Sequence, residues 1–362
     1  MKLVVIGLSI TSSWGNGHAT TYRALLREMA RRGHDIVFLE QDQPWYAAHR
    51  DLCDFPYATV ELYSSLADLR ALHATTIADA DAVMLGSYVP DGAETGSWLC
   101  ATARGLRIFY DLDTPVTLAK LRHGEHSYIA PAQIPDFDLY LSFAGGPALE
   151  RLEQEFGAVC ARPLYCAVDA EHYRPMVATE EWELGYLGTY SADRQAGLEE
   201  LLFHSAALRP GRRFVVAGAQ YPSDVHWAGN VSHINHLPPA VHPWFYNAQR
   251  FTLNLTRREM AASGFSPSVR LFEAAACGTP VITDPWTGLD SFFSPGTEIL
   301  VAPSSREVIS FLAGLSAEEA QAIGAAARDR VLRQHTAAHR ASELEHYLQA
   351  IAAGRRPEVL VH

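Results

Sequence analysis

Lysine is almost missing from this chain. Of its 29 basic residues only two, Lys2 and Lys120, are lysine. Chemistry that needs a lysine Schiff base has almost no candidates, so anion binding falls to arginine and to backbone amides. An excess of basic charge is missing too. The formal net charge is -12 and the pI about 5.7, which excludes a global footprint for nucleic acid or an anionic membrane surface. No run reaches about 18 apolar residues, the least that reads as a membrane-spanning helix. There is no short repeat and no low-complexity segment. The five cysteines (Cys53, Cys100, Cys160, Cys166, Cys277) contain no CxxC. Their odd number and spacing lead us to expect unpaired, mostly buried thiols in a reducing, cytoplasmic compartment. The first residues, MKLVVIGLSITSSWG, carry one basic residue and no small-residue cleavage site after the apolar run. They read as a first strand rather than a leader.

What is present is ordinary for a globular protein: 362 residues, 48% hydrophobic and 19% charged. At roughly 100–200 residues per domain, two domains are expected. LVVIGL at 3–8 is the continuous apolar run of a strand buried on both faces. TYRALLREMARRG then reads as an amphipathic helix ending at Gly33, and DIVFLE at 35–40 as a second strand. A β-α-β unit of this kind implies a parallel sheet. Further strands are expected at Ala82–Leu85, Leu106–Asp111 and Leu139–Phe143. A second β/α cycle starts near residue 184, with GLEELLFHSAAL and VRLFEAAACG as helices and RRFVVAGA, FTLNLT and PVITD as strands. Ser316 and Glu319 have capping-box spacing at the start of an alanine-rich helix. The expected division is 1–168 as a first domain and 169–340 as a second. Residues 341–362 would form a helix packing back on the first. Two doubly wound domains suggest a ligand outside the carboxyl ends of the strands, in a cleft between them.

The turn after the first strand reads Gly15-Asn16-Gly17-His18-Ala19-Thr20. As a dinucleotide fingerprint it lacks its third glycine, although Glu40 sits where a ribose-binding acid would. The turn also lies about seven residues past the strand end, where the dinucleotide turn is tight against it. An acceptor-facing loop is the alternative, with a helix N-terminus aimed at the ligand. His18 opens that helix: either a structural histidine or a neutral imidazole able to take a proton from a hydroxyl, help worth roughly 10²–10⁴-fold. Asp113, in FYDLDTPV, is either an N-cap before Pro115 or a cleft residue that orients His18 or binds a sugar hydroxyl. Asp111 competes with it as the important acid.

In the second half, Ser266-Pro267-Ser268 reads as a helix start, a cap residue followed by Pro in the first turn, leaving free amides for a diphosphate. Glu273, two turns on, is either a salt-bridged helix carboxylate or an acceptor for vicinal ribose hydroxyls. His335/His339 and His123/His126 lack a carboxylate or cysteine at metal-site spacing, so no metal is expected.

These stretches resemble GT-B glycosyltransferases, in particular family-4-type enzymes and the CgeB-like (spore-maturation-protein B-like) branch. The linker PLYCAVDAEHYRP, the strand and glycine loop GYLGTYSADRQAGLEELL, the loop and helix HLPPAVHPWFYNAQRFTLNLT, the turn FEAAACGTPVIT and the terminal GAAARDRVLRQHTAAHRASEL carry the resemblance. It implies an α/β protein of two Rossmann-like domains facing a central cleft, the first acceptor-binding and the second donor-binding. It also implies a nucleoside-diphosphate sugar as substrate, with no cofactor and no metal. By position, Glu273 would bind the ribose, the amides around Ser266, Pro267, Ser268 and Val269 the diphosphate, and Arg194, in the loop after Gly188, would neutralise it. Where the family often adds a lysine this chain has none, and Arg270 is the candidate replacement, unless it is a helix-surface arginine. The family's first glutamate falls on Phe265; Ser263 or Glu259 could stand in. The second half implies retention of anomeric configuration. The first half also looks like the start of inverting enzymes, in which a histidine at His18 and an aspartate at Asp113 act together. The acceptor (glycan, lipid, protein or small molecule) is open. Trp14, Trp45, Tyr46, Tyr88 and Trp98 are either sugar-stacking or ordinary core and surface aromatics. An epimerase, or a silent nucleotide-binding protein on the same fold, is the alternative.

Overall fold

The chain divides into two units, residues 1–167 with 337–362, and residues 168–336. The computed structural model describes residues 1–15, 17–126 and 128–360.

The first unit is built on a seven-stranded sheet: β1 (Lys2–Gly7), β2 (Asp35–Gln41), β3 (Thr59–Tyr63), β4 (Ala82–Gly86), β5 (Leu106–Asp111), β6 (Leu139–Ser142) and β7 (Ala161–Pro163). The order is β3-β2-β1-β4-β5-β6-β7, and the paired strands are parallel. Side chains alternate faces along a strand. Val4 and Ile6 therefore enter one core layer and Leu3 and Val5 the other, all fully buried. This explains why β1 is apolar without alternation. Leu344, Tyr347 and Leu348 of the last helix, Ala337–Ala352, join Tyr22 and Leu26 of the helix His18–Arg31 in the second layer. The Tyr347 hydroxyl is anchored on the Pro163 carbonyl at 3.2 Å.

The second unit has six parallel strands: β8 (Trp182–Leu187), β9 (Phe214–Ala217), β10 (Val231–Ile234), β11 (Gln249–Asn254), β12 (Val281–Thr283) and β13 (Leu300–Val301). Their order is β10-β9-β8-β11-β12-β13. GLEELLFHSAAL is helical, but with a π turn at Glu199–Phe203 between α-helical flanks. The capping box forms: the Ser316 N–H donates to Glu319 Oε2 at 2.8 Å and the Glu319 N–H to Ser316 Oγ at 3.1 Å. The helix expected to begin at Ser266–Ser268 starts later than its sequence suggests. Ser266 precedes proline, which favours extended backbone; Ser268 is extended as well, and the helix runs from Val269 to Ala276.

In each sheet the chain reverses its winding once, between β1 and β4 in the first unit and between β8 and β11 in the second. Ligands of such sheets sit at this switch point, beyond the carboxyl ends of the strands.

Candidate functional site

In the first unit the loop after β1 is held by a buried acid. Glu40, at the end of β2, is fully buried. Its Oε1 accepts from Ser9 Oγ at 3.1 Å and Thr11 Oγ1 at 2.7 Å; its Oε2 accepts from the Ile10 and Thr11 N–H groups at 2.6 and 2.9 Å. A carboxylate has about four lone-pair sites, and the loop fills them. Glu40 therefore shapes this turn and is not placed to bind a ribose. Arg23 adds a bond from Nε to the Ile10 carbonyl at 2.8 Å and an ion pair to Asp51 at 2.6 Å. Gly15 takes a left-handed φ of 67°. Gly17 is the N-cap of the helix and a Cβ there would meet nothing within 4 Å, so the approach to its backbone is open. Asn16 lies outside the described residues.

His18 is the first residue of that helix. Enclosure by packed protein pushes its imidazole down to about 4, so it is neutral near pH 7 and competent to accept a proton. Its ring meets Tyr88, in the turn after β4, in a T-shaped contact with centroids 5.5 Å apart. The Tyr88 hydroxyl donates to Asp113 Oδ2 at 2.9 Å. Asp113 does occupy the N-cap position of the helix Thr114–Arg122, but its side chain makes no capping bond. Asp111 is sealed: Oδ2 accepts from Tyr140 at 2.7 Å, and Oδ1 from Thr117 at 2.9 Å and the Asp113 N–H at 3.1 Å. Burial still pushes its carboxyl up to about 6. Asp111 thus supports the Asp113 backbone, and Asp113 is the half-buried acid of the pair.

In the second unit the decisive side chain is Arg270. It is 6% exposed, so it is no surface arginine. Its Nε donates to the Leu187 carbonyl, and one terminal nitrogen donates to Asn254 Oδ1 at 2.9 Å. Its guanidinium lies 4.7 Å over the Tyr186 ring. It therefore bridges the ends of β8 and β11 across the switch point. No carboxylate pairs with it among the described residues; its partners are neutral oxygens and a ring. A buried cation without a counter-ion is costly, and an anionic ligand relieves that cost. Its other terminal nitrogen faces the Gly188 turn, where a Cβ would lie 2.8 Å from it and 2.6 Å from the Tyr186 hydroxyl. Arg194 follows that turn, with one terminal nitrogen on the Thr189 carbonyl at 2.8 Å and a buried Nε that has no hydrogen-bond partner.

The N–H groups of Ser268, Val269 and Arg270 carry no hydrogen bond among the described residues. They are the orphan donors of a helix start. Ser266 and Pro267 are buried just before them. Glu273 is 5% exposed and accepts from the Tyr246 hydroxyl at 2.9 Å. Tyr173 faces the same carboxylate and bonds His242 Nδ1 at 3.2 Å. Burial holds the His242 imidazole below its usual range. The Gly188→Ala substitution should displace the Arg270 guanidinium and weaken binding of an anion such as pyrophosphate at this turn at least tenfold, about 1.4 kcal/mol, as read by calorimetric titration.

Residues 194–346 match a family described as glycosyl transferase-like. No curated protein matches the sequence. Among solved structures, a sucrose-phosphate synthase from Thermosynechococcus elongatus superposes with a TM-score of 0.76 at 13% identity, covering 98% of this chain and 100% of that one. Anabaena Alr3699/HepE in complex with UDP and glucose gives 0.72 at 12% identity, over 96% and 99%. An alpha-glucosyltransferase in complex with UDP gives 0.67 at 11% identity, over 96% and 100%. Residues 194–346 are thus similar to glycosyl transferase-like proteins, and the two sheets have the GT-B fold of these structures.

On this fold the two sets of predicted residues each gather around one switch point. His18 and Asp113 gather with Tyr88, and Gly188 with Arg270. Ser263 keeps a buried hydroxyl without a partner. Phe265, at the position of the family's first glutamate, takes a φ of 48° and packs where a Cβ on Gly288 would lie. The role of that glutamate is thus not taken by Phe265. Sequence reasoning misses Tyr173, Tyr246 and Asn254. Their roles come from pairing across strands and helices, which spacing does not encode. Of the other aromatics, Trp14 stacks on His49 at 4.5 Å, Trp98 packs on the core, Tyr46 is buried and Trp45 is half exposed. Among the described residues no group of three His, Cys, Asp or Glu could hold a metal, and no helix is long and apolar enough to cross a membrane.

Proposed function

We propose that the protein transfers a sugar from a nucleoside-diphosphate sugar to an acceptor hydroxyl, within the family-4-type, CgeB-like branch. The single observation that carries the donor side is Arg270: a buried guanidinium with no carboxylate partner among the described residues, beside free helix amides and the Gly188 turn. The diphosphate would occupy that position. Arg194 and the amides of Ser268 and Val269 would share the charge that builds on the leaving group, which is electrostatic catalysis without a metal. Glu273, oriented by Tyr246, would accept from the ribose hydroxyls. The complexes of structural neighbours with UDP make UDP the first diphosphate to test. The five cysteines, free cysteines in the structure with three of them buried, favour a reducing compartment such as the cytoplasm.

On the acceptor side, His18 would receive the hydrogen bond of the attacking hydroxyl. With retention, the course implied by the family-4-type resemblance, the proton ends on the departing diphosphate. With inversion, which the neutral imidazole favours, it ends on His18. Calorimetry with UDP, GDP and TDP tests the donor site, and proton NMR of the product anomer separates the two courses. We expect micromolar binding of one diphosphate and an acid limb of activity nearer pH 4 than 6.5. Binding of none would refute the donor assignment.

A further inference from the structure

The turn after β4 is strained. Among the described residues four non-glycine positions have positive φ, and two of them, Tyr88 at 65° and Asp91 at 52°, lie in this turn. A left-handed non-glycine residue costs on the order of 1 kcal/mol and persists where its surroundings over-determine it. They do so here. The Ser87 N–H donates to the Tyr110 carbonyl at 2.9 Å, and Ser87 Oγ accepts from the Leu112 N–H at 3.1 Å, one residue before Asp113. The Tyr88 ring packs on Tyr128 with centroids 4.7 Å apart. The Lys120 ammonium lies 5.5 Å from the Tyr88 centroid and 5.8 Å from that of Tyr128. With its ring on His18 and its hydroxyl on Asp113, Tyr88 touches both acceptor-side candidates at once.

We propose that Tyr88 is the positioning residue of the acceptor-side site: its hydroxyl fixes the Asp113 carboxylate and its ring fixes the orientation of His18. The backbone strain is what brings one side chain to both. A right-handed or extended residue 88 would aim its Cβ elsewhere from the same turn, which Ser87 ties to the end of β5. The same strained turn thus packs the ring on Tyr128 and serves both acceptor-side groups. This rests on His18 being the group that meets the acceptor hydroxyl. The titratable groups around the pair are Asp111, Asp113, Lys120 and Tyr128.

The test uses the full chain without ligand, in Tyr88→Phe and Tyr88→Gly. Glycine accepts the left-handed turn, so that variant removes the ring while relieving the strain. The His18 imidazole and the Asp113 carboxyl are titrated by NMR. In Tyr88→Gly, His18 should move from near 4 toward 6.5, by at least about one unit as its enclosure is lost. In Tyr88→Phe, His18 should stay put while the Asp113 carboxyl titrates higher, having lost a donor that favours its charged form. A tyrosine serving only the core would change the melting temperature and neither titration, and that result overturns the proposal. If both titrations move as expected but His18→Ala consumes UDP-glucose as fast as the wild type, the assignment of His18 fails while the positioning by Tyr88 stands.

Discussion

Replacing Arg270 by alanine should weaken the tightest of UDP, GDP and TDP by roughly 10- to 150-fold, the equivalent of about 1.5–3 kcal/mol for a lost charge-assisted partner. The physical reason is burial. At 6% exposure the guanidinium has little water to screen it and no carboxylate partner among the described residues, so its field acts on the Gly188 turn. The substitution also strips the donors from the Leu187 carbonyl and Asn254 Oδ1, which should cost about 1–3 kcal/mol of stability for each acceptor left buried and unsatisfied. Arg270→Lys separates the two effects. It keeps the charge but cannot bond two acceptors and still face the turn, so affinity should recover only in part. Calorimetric titration beside urea unfolding reads both quantities. A diphosphate affinity within twofold of wild type in Arg270→Ala would sink the donor assignment.

Glu40→Gln should destabilise the first unit by about 1.5–3 kcal/mol, the worth of hydrogen bonds to a buried charged acceptor. Glutamine is isosteric, so no cavity opens. The cost is chemical. The Ile10 and Thr11 N–H groups both donate to Oε2, and both hydroxyls to Oε1. Whichever way the amide turns, its NH2 replaces an acceptor that served two donors. The hydroxyls can rotate but the backbone N–H groups cannot. The introduced amide is therefore expected with its oxygen toward the Ile10 and Thr11 N–H groups and its NH2 against Ser9 Oγ and Thr11 Oγ1. Urea unfolding measures the loss. A change below about 1 kcal/mol would mean that the β1 loop is held by Arg23 and Asp51 instead.

How much of this was legible in the sequence varies with the range of the interaction. The strands Lys2–Gly7 and Ala82–Gly86 could be read because a parallel strand buried on both faces is apolar nearly throughout. The Ser316 capping box could be read because it closes within four residues. The sites were legible only as loops after strands. Asp113 has N-cap spacing, and nothing local says that its side chain is taken by Tyr88 instead. Glu40 has the position of a ribose acid, and only the return of Ser9–Thr11 across it shows that its lone pairs are filled. Arg270 reads equally well as a surface residue, since its partners Leu187 and Asn254 lie 83 and 16 positions away.

The sequence by itself determined the parallel α/β sheets, the helix starts and the scarcity of lysine that leaves arginine to meet a diphosphate. Those follow from period, capping and composition, which act along the chain. Tertiary structure alone decided which arginine is buried without a counter-ion, which acid builds a loop rather than a ligand site, and that a strained tyrosine joins His18 to Asp113. Each of these depends on strand order, because the switch points of the two sheets bring strand ends together that are far apart in the chain, and desolvation there sets the charge and orientation of the side chains.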